Sequence, residues 1–205
     1  MKIACISDTH GKHGLIYLEQ TDILLFAGDA MTCGYKLSEL KDFLTWFSIQ
    51  PANHKIMVAG NHDRWIENNP KDFRELLKDY PDIIYLEDEF VVVDGLKIYG
   101  TPHTKVFYNW AFNRTEDQLT ELFAKIPNDI HILVSHAPQR DVLDRLMDNQ
   151  RVGELPLQQK MWQLRKLKLH VFGHLHDSFG LVKPYNKYVS VNASQVDEEY
   201  RLKNF

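Results

Sequence analysis

Two patterns of apolar residues alternate along the chain. Short apolar runs rich in β-branched residues are typical of strands, and longer stretches with an apolar residue at every third or fourth position are typical of amphipathic helices. The runs predict strands at Lys2–Ser7, Ile23–Ala27, Lys55–Ala59, Ile83–Leu86, Phe90–Val93, Lys97–Thr101, Ile130–Ser135, His170–Gly173 and Lys187–Asn192. The periodic stretches predict helices at Leu37–Ile49, Phe73–Asp79, Glu116–Lys125 and Leu157–Leu167. Between two of the runs, Asp94-Gly95 indicates a tight hairpin.

This alternation predicts an α/β fold. With this many strands to stack, two packed sheets are favoured over one open sheet. We therefore expect a four-layer αββα sandwich, with two mixed β-sheets packed face to face and flanked by helices. The 205 residues, 44% of them hydrophobic, are enough for one sizeable core. Since the chain contains no internal repeat, low-complexity tract or linker, residues 1–205 are expected to form a single domain.

Charge and cysteine content narrow the function classes. The formal net charge of -4 gives no general attraction to nucleic acid, so stable nucleic-acid binding is not expected. Cys5 and Cys33 are too few and too far apart to indicate a disulfide framework or a thiolate zinc site. No apolar stretch approaches the roughly 20 residues of a membrane span, and the first apolar run is too short for a signal peptide. We expect a cytoplasmic protein that does not associate with membranes.

Metal-binding residue types follow five of the predicted strands. They are Asp8 and His10, Asp29, Asn61, His136, and His174 and His176. In α/β folds, ligand sites assemble where the carboxyl ends of strands aim short loops at one crevice. The recurrence of such residues at five strand ends predicts one shared site.

The donor atoms of this set indicate which metals the site suits. Imidazole nitrogens, carboxylates and an amide oxygen, without a thiolate, suit manganese, iron or zinc better than copper(I). The D-x-H and H-x-H spacings place both side chains of each pair on one side of the chain. The adjoining Gly28, Gly60 and Gly173 let the backbone approach the metals without a Cβ in the way.

In order along the chain, these motifs read D-x-H, G-D, G-N-H-D, S-H and G-H-x-H, and they resemble the calcineurin-like metallophosphoesterase superfamily over nearly the whole sequence. More narrowly, the strings "CISDTH", "LLFAGD", "KIMVAGNHD", "SHAP" and "KLHVFGHLHDSFG" resemble the metallophosphoesterase-domain-containing group, which is similar to class III cyclic-nucleotide phosphodiesterases.

The resemblance implies a site for two divalent ions, with manganese the expected metal and iron or zinc the alternatives. The first ion would be held by Asp8, His10, Asp29 and His176, and the second by Asp29, Asn61, His136 and His174, with Asp29 bridging. Some animal members of the group replace the first histidine of the last motif with glycine, at a cost to metal binding. His174 is present here, which implies a competent second site. Where the group often reads G-C-E, this chain reads Gly153-Glu154-Leu155, and the substrate contacts of that segment stay open.

The implied reaction is hydrolysis of a phosphodiester, such as a cyclic nucleotide, by in-line attack of a metal-bridging hydroxide. The expected partner is a small phosphate ester. His62 is expected to stabilise the transition state or to protonate the leaving alkoxide. Asp63 either orients the His62 imidazole or faces a neighbouring backbone amide, and the sequence leaves both alternatives open.

Three further features are less specific. His103 and Asn109 are candidate substrate-binding residues, although Asn109 is equally suited to capping a loop turn. The aromatic stretch 107–113 either stacks on a nucleobase or anchors a long loop to the core. The other histidines, expected to pack or to face solvent, are His13, His54, His131 and His170.

Other functions of the same superfamily remain as alternatives: a phosphomonoesterase or protein phosphatase, a nuclease, or a non-enzymatic scaffold. Protein phosphatases of the superfamily usually lack the second histidine of the last motif, whereas His176 is present. Scaffolds lose ligands that this chain retains. The sequence does not predict an oligomeric state.

Overall fold

The computed structural model describes residues 1–185 and 188–203. Its strands are β1 (Ile3–Ile6), β2 (Thr21–Ala27), β3 (Ala52–Val58), β4 (Ile83–Tyr85), β5 (Glu89–Val93), β6 (Leu96–Thr101), β7 (Thr104–Lys105), β8 (Asn113–Arg114), β9 (Ile132–Ser135), β10 (Leu169–Phe172), β11 (Val182–Tyr185) and β12 (Tyr188–Asn192). Its helices are α1 (Leu37–Ser48), α2 (Arg64–Asn68), α3 (Pro70–Leu76), α4 (Glu116–Ala124) and α5 (Leu155–Met161).

The larger strands form two sheets. One has the order β1-β2-β3-β4, and the other has the order β11-β12-β10-β9-β6-β5. The second sheet is mixed, as predicted. The first differs from the prediction, because all its strand pairs are parallel. Parallel neighbours need crossover connections, and α1 and then α2 with α3 supply them between β2, β3 and β4.

Alternating side chains of β2 face two different layers of the sandwich, the outer helical layer and the core between the two sheets. Phe26 points outward and packs on Phe43 of α1, with ring centroids 4.5 Å apart. Ile23 and Leu25 point to the opposite face and pack in the core between the two sheets, as the period of two along a strand requires.

The second sheet repeats this arrangement in β9. Ile132 and Val134 face the first sheet, and Leu133 packs outward against Phe123 of α4 and Leu157 of α5. The described residues therefore form the predicted four-layer αββα sandwich.

Several element boundaries differ from the sequence prediction. Helix α5 ends at Met161 rather than Leu167, although Leu164 and Leu167 stay buried in the same core. Strand β11 was not predicted, and Lys187, the predicted first residue of the last strand, lies outside the described residues. Asp94-Gly95 joins β5 to β6 as predicted, with positive φ at both residues as a type I′ turn requires.

Helix α4 begins at a capping box. The Thr115 hydroxyl accepts a hydrogen bond from the Gln118 amide, and the Gln118 side chain accepts one from the Thr115 amide. Among the helices of the described residues, none has the length and apolar content needed to cross a bilayer.

Candidate metal centre

The loops that follow β1, β2, β3, β9 and β10 meet at one edge of the sandwich and are joined by backbone hydrogen bonds. The amide of Asp8 donates to Gly28 O at 2.9 Å, and the amide of Gly173 donates to His136 O at 3.0 Å. These bonds fix each loop against its neighbour. The sheets thus deliver the side chains of distant segments to one place.

Four of the predicted ligands have left-handed backbones. The φ angles are 52° at Asp8, 43° at His10, 60° at Asp29 and 68° at His174. Non-glycine residues in sparsely populated backbone regions cost of order 1–3 kcal/mol each and concentrate at functional sites. Their grouping at one edge of the fold is independent support for a site there.

The first ligand cluster contains Asp8, His10 and His176. His10 Nε2 lies 3.3 Å from His176 Nε2, and His176 Nε2 lies 3.4 Å from Asp8 Oδ1. The Asp8 carboxylate also accepts hydrogen bonds from the Ser7 hydroxyl and from the amide of His174, the latter at 3.0 Å. His174 and His176 of the last motif thus both contact Asp8 in the loop that follows β1.

The second cluster is centred on Asn61. Its Oδ1 lies 2.8 Å from His136 Nε2 and 2.8 Å from His174 Nδ1. The two histidine rings meet edge-on with their centroids 5.0 Å apart.

Asp29 lies between the clusters. Its Oδ2 is 3.8 Å from His10 Nε2 on one side and 3.4 Å from His136 Nε2 on the other. All seven side chains predicted as ligands are therefore together, and Asp29 occupies the shared position.

Backbone carbonyls orient two of the imidazoles. His136 Nδ1 donates to Ala27 O at 2.8 Å, and His10 Nδ1 donates to Met31 O at 3.2 Å. These carbonyls can only accept, so each Nδ1 carries a proton and each Nε2 is the nitrogen directed at the cluster. Such outer hydrogen bonds fix the tautomer of metal-binding histidines.

The donor atoms fit divalent metal ions. Two ligand atoms each about 2.1 Å from one ion lie roughly 3.0–3.4 Å apart at right-angle or tetrahedral positions. The separations of 3.3 Å between His10 and His176, and of 3.4 Å between His136 and Asp29, match that range.

The charges of the site also favour bound cations. Burial lowers the pKa of His10 to about 4 and that of His174 to about 3, which keeps their lone pairs free for a metal. Burial acts to lower the pKa of His136 as well, but the carboxylates of Asp29 and Asp8 outweigh it and raise the pKa to about 9. The buried carboxylates thus attract positive charge.

The three glycines predicted beside the site have no room for a side chain. An added Cβ would clash with Asp8 Oδ2 at Gly173, with Asp29 Oδ1 at Gly60 and with His136 Nδ1 at Gly28. The prediction that glycine lets the backbone approach the site is confirmed at all three positions.

His62 lies beside the clusters. One of its ring nitrogens is within 4.8 Å of ligand atoms of His10 and Asp29. The ring stacks on Trp110 with centroids 4.1 Å apart, and Nδ1 donates to the carbonyl of Thr32. Nε2 is therefore the nitrogen left to exchange a proton with a substrate.

Asp63 does not orient this ring. Its carboxylate accepts hydrogen bonds from the backbone amides of Asp29, Gly60 and Met31, at 3.0, 2.8 and 3.1 Å. Burial and the charge of Asp29 raise the pKa of Asp63 to about 7, against the lowering effect of the Gly60 and Met31 amides. The second sequence alternative is the one observed, and these hydrogen bonds favour a positioning role for Asp63 over a catalytic one.

The predicted substrate-binding residues lie in different surroundings. His103 is 3% exposed and its Nε2 contacts Asp88 Oδ2 at 2.7 Å, a location that favours a structural role over the predicted contact with substrate. Asn109 lies on an exposed turn, and its side chain makes no hydrogen bond to any described residue, so its predicted contact stays a prediction. In the stretch 107–113, Phe112 is buried in the core, as expected for a loop anchor, whereas Tyr108 is 89% exposed. Stacking of this stretch on a nucleobase stays a prediction.

The remaining histidines contact residues outside the two clusters. His13 pairs with Asp42, His54 with Asp94, His131 accepts from the Lys97 amide, and His170 bonds to Ser135. These positions agree with the packing or solvent-facing roles predicted for them.

Tyr200 was missed by the sequence analysis. Its ring meets those of His10 and His176 edge-on, at centroid distances of 4.7 and 5.2 Å, and covers the first cluster on the solvent side. No local motif marks this residue, because its contacts depend on the path of the C-terminal segment across the sandwich. Asn192 donates to the carbonyl of Leu175, between the two histidines of the last motif, and so supports the backbone of the site.

A sequence model of the calcineurin-like phosphoesterase family matches residues 1–178. The chain belongs to this family. Membership of this phosphoesterase family implies hydrolysis of phosphoesters with divalent metal ions, in agreement with the donor set described above.

Comparisons of this phosphoesterase with individual proteins agree with its family membership. It is 32% identical to human metallophosphoesterase domain-containing protein 1 over 225 residues, which cover 99% of this chain and 68% of the human protein. Among solved structures, phosphopantetheinyl hydrolase from Mycobacterium tuberculosis has a TM-score of 0.65 at 16% identity, covering 97% of this chain and 90% of that one. TT1561 from Thermus thermophilus has a TM-score of 0.66 at 13% identity, covering 98% of this chain and 96% of that one. The two structures support the fold alone.

Proposed function

We propose that this phosphoesterase is a two-metal phosphodiesterase that hydrolyses small phosphodiesters, with cyclic nucleotides as the first substrates to test. The observation that carries the proposal is the position of Asp29, whose Oδ2 faces His10 on one side and His136 on the other. A carboxylate oxygen shared by two clusters of imidazole, carboxylate and amide donors is the arrangement a bridged pair of cations requires.

In this proposal each cluster holds one ion, and manganese is the preferred metal, with iron or zinc as alternatives. The first ion is assigned to Asp8, His10, Asp29 and His176, and the second to Asp29, Asn61, His136 and His174. When bound, the pair would supply Lewis acidity toward the phosphoryl oxygens and lower the pKa of water.

His62 is proposed to protonate the leaving alkoxide. Its Nδ1–H is held by the Thr32 carbonyl and its ring is held flat against Trp110, so the orientation of Nε2 is fixed before substrate binds. Pre-organisation of this kind matters because a positioned acid contributes about 10²–10⁴-fold to a rate.

Residues 1–205 are proposed to act as one domain, since the ligands come from both sheets and from loops between residue 8 and residue 176. Cys5 and Cys33 are free thiols, which is consistent with the proposed reducing, cytoplasmic setting. A small phosphate ester remains the proposed partner.

The direct test compares bis-p-nitrophenyl phosphate with p-nitrophenyl phosphate, using metal-stripped protein reloaded with manganese. The expected result is faster hydrolysis of the diester. A panel of 2′,3′- and 3′,5′-cyclic nucleotides then tests the proposed substrate class.

Three outcomes would contradict the proposal. Preference for the monoester would indicate a phosphomonoesterase, and turnover of long nucleic acid alone would indicate a nuclease. Absence of turnover with metal bound would indicate a scaffold.

A further inference from the structure

A cavity opens beside the metal centre. It has a volume of about 210 Å³ and is lined by Lys105, Val106, Phe107, Arg140, Arg151, Val152, Gly153, Glu154 and His174. His174 belongs both to this cavity and to the second ligand cluster, so a molecule bound at the metals lies next to it. Phe107 meets the His174 ring edge-on at 5.3 Å and forms part of the wall between them.

The basic side chains of the cavity are available to a ligand to different extents. Within the described residues, the half-buried guanidinium of Arg140 makes no ion pair and no hydrogen bond. Arg151 binds Asp141 and Asp144, but both bonds use Nη1 and leave its other nitrogens without an acceptor in the described part of the chain. The exposed ammonium group of Lys105 makes a long contact of 3.6 Å with Glu116.

The one acidic side chain that lines the cavity already accepts a hydrogen bond from the protein backbone. Glu154 Oε1 accepts a hydrogen bond of 2.6 Å from the backbone amide of Lys105. The carboxylates of Asp141 and Asp144 offset the charge of Arg151, and Glu116 lies near Lys105. Among the described residues, Arg140 is therefore the cationic side chain of the cavity that has no carboxylate partner, and its guanidinium favours an anionic ligand.

Backbone pairing holds the two arginine-bearing segments together. The Arg140 amide donates to Glu154 O at 3.2 Å, and the Glu154 amide donates to Pro138 O at 2.9 Å. The Gln158 side chain donates to Arg140 O at 2.7 Å from helix α5. Since the backbone beneath the guanidinium is fixed, less ordering is needed when an anion binds.

The size of the cavity limits what it can hold. Sites for whole drug-sized ligands measure about 300–1,000 Å³, whereas this one measures about 210 Å³. The volume suits a single small group, such as a phosphate or a carboxylate, rather than a whole drug-sized ligand.

We propose that this cavity binds a second anionic group, a phosphate or a carboxylate, on the phosphodiester being cleaved, and that Arg140 is the residue that selects for it. The inference rests on the proposed function and names its substrate class: phosphodiesters with a further negative charge next to the scissile ester. Arg140 acts on substrate selection, because its planar guanidinium can bind such a group through two parallel hydrogen bonds.

The test uses a matched pair of substrates that release the same chromophore. They are thymidine 5′-(p-nitrophenyl phosphate) and its 3′-phosphorylated form, assayed on manganese-loaded protein at fixed ionic strength. Wild-type protein is expected to favour the 3′-phosphorylated substrate by about tenfold or more in kcat/KM. Arg140→Gln should remove most of this preference, chiefly through KM, and Arg140→Lys should retain part of it.

Arg165→Gln is the matched control, because Arg165 is exposed beyond the end of α5 and does not line the cavity. The control should keep the wild-type preference. Equal kcat/KM for the two substrates in wild-type protein, or an unchanged preference in Arg140→Gln, would overturn the inference. Failure of the proposed function is a separate result, namely no hydrolysis of either substrate or of bis-p-nitrophenyl phosphate by wild-type protein.

Discussion

The backbone amide of His62 donates a 2.7 Å hydrogen bond to Oδ1 of Asp29. This bond joins the residue proposed to transfer a proton to the residue proposed to bridge the two ions. Because Oδ1 is taken by the amide, only Oδ2 faces the ligand clusters, and the position of the His62 ring is tied to the position of that carboxylate.

Replacement of His62 by alanine should abolish most turnover without releasing metal. The expected loss is about 10²–10⁴-fold in kcat, since the variant lacks a positioned acid while the seven proposed ligands remain. The measurement is bis-p-nitrophenyl phosphate hydrolysis together with metal content. His54→Ala, which removes a histidine that contacts Asp94, is the control and should keep full activity. Unchanged turnover in His62→Ala would exclude this residue from the chemistry.

Asp63→Asn should destabilise the fold. The carboxylate accepts three amide hydrogen bonds, and an amide group in its place puts an N–H where an acceptor is needed. We expect the free energy of unfolding to fall by about 1–3 kcal/mol, measured by urea denaturation of metal-free protein. Asp129→Asn, which alters an exposed ion pair with Lys97, should cost less than about 1 kcal/mol. Wild-type stability in Asp63→Asn would contradict the positioning role.

His62 and Asp63 show how much of the site could be predicted from the sequence. The motif G-N-H-D identified both residues, because its residue types and spacing are visible in the chain. It did not separate the catalytic candidate from the positioning residue. That distinction depends on which way the Asp63 carboxylate turns, and two of the three amides that it binds, those of Asp29 and Met31, lie 34 and 32 residues earlier in the chain.

Tyr200→Ala should speed the loss of the first metal ion. The Tyr200 ring covers His10 and His176, so its removal gives water and chelator access to both imidazoles. We expect the rate of manganese loss to EDTA to rise about tenfold for one of two ions, since exposed ligands exchange faster. Tyr200→Phe keeps the ring and should behave as wild type. Equal rates in all three proteins would remove Tyr200 from the site.

The fold was predictable from the sequence where the pattern of buried residues begins and ends with the helix or strand. The run "HILVS" predicts β9 closely, and the alternation in β2 matches its two packed faces. Where burial continues after the helix ends, periodicity misleads: Leu164 and Leu167 are buried beyond Met161, so the pattern predicted a longer α5. Strand β11 escaped prediction because Pro184 lies within it, and proline is tolerated in a sheet at an edge strand such as this one.

Stability should depend on pH through His170. This buried histidine bonds to Ser135, and burial lowers its pKa from 6.5 to about 3. Below pH 6.5 the unfolded chain takes up a proton that the folded chain excludes, so stability present at neutral pH is lost as the pH falls. The expected loss is about 1.4 kcal/mol per pH unit between pH 6.5 and pH 3.

The variant His170→Gln isolates this contribution. Both proteins should be compared as metal-free forms by urea denaturation at about pH 7.5 and about pH 5. The advantage of wild type over His170→Gln should shrink by about 2 kcal/mol at the lower pH. An advantage that is the same at both pH values would show that His170 is not excluded from protonation in the folded state.

The most direct test of the two-metal account is a manganese titration of metal-stripped protein. Calorimetry monitors the titration, and elemental analysis counts the ions that stay bound. Wild-type protein should bind two ions per chain. Asp29→Asn keeps an oxygen for the His62 amide but replaces the shared Oδ2 with a group that cannot bind metal, so it should retain at most one ion. A single ion in wild type, or two ions bound with unchanged affinity in Asp29→Asn, would contradict the account.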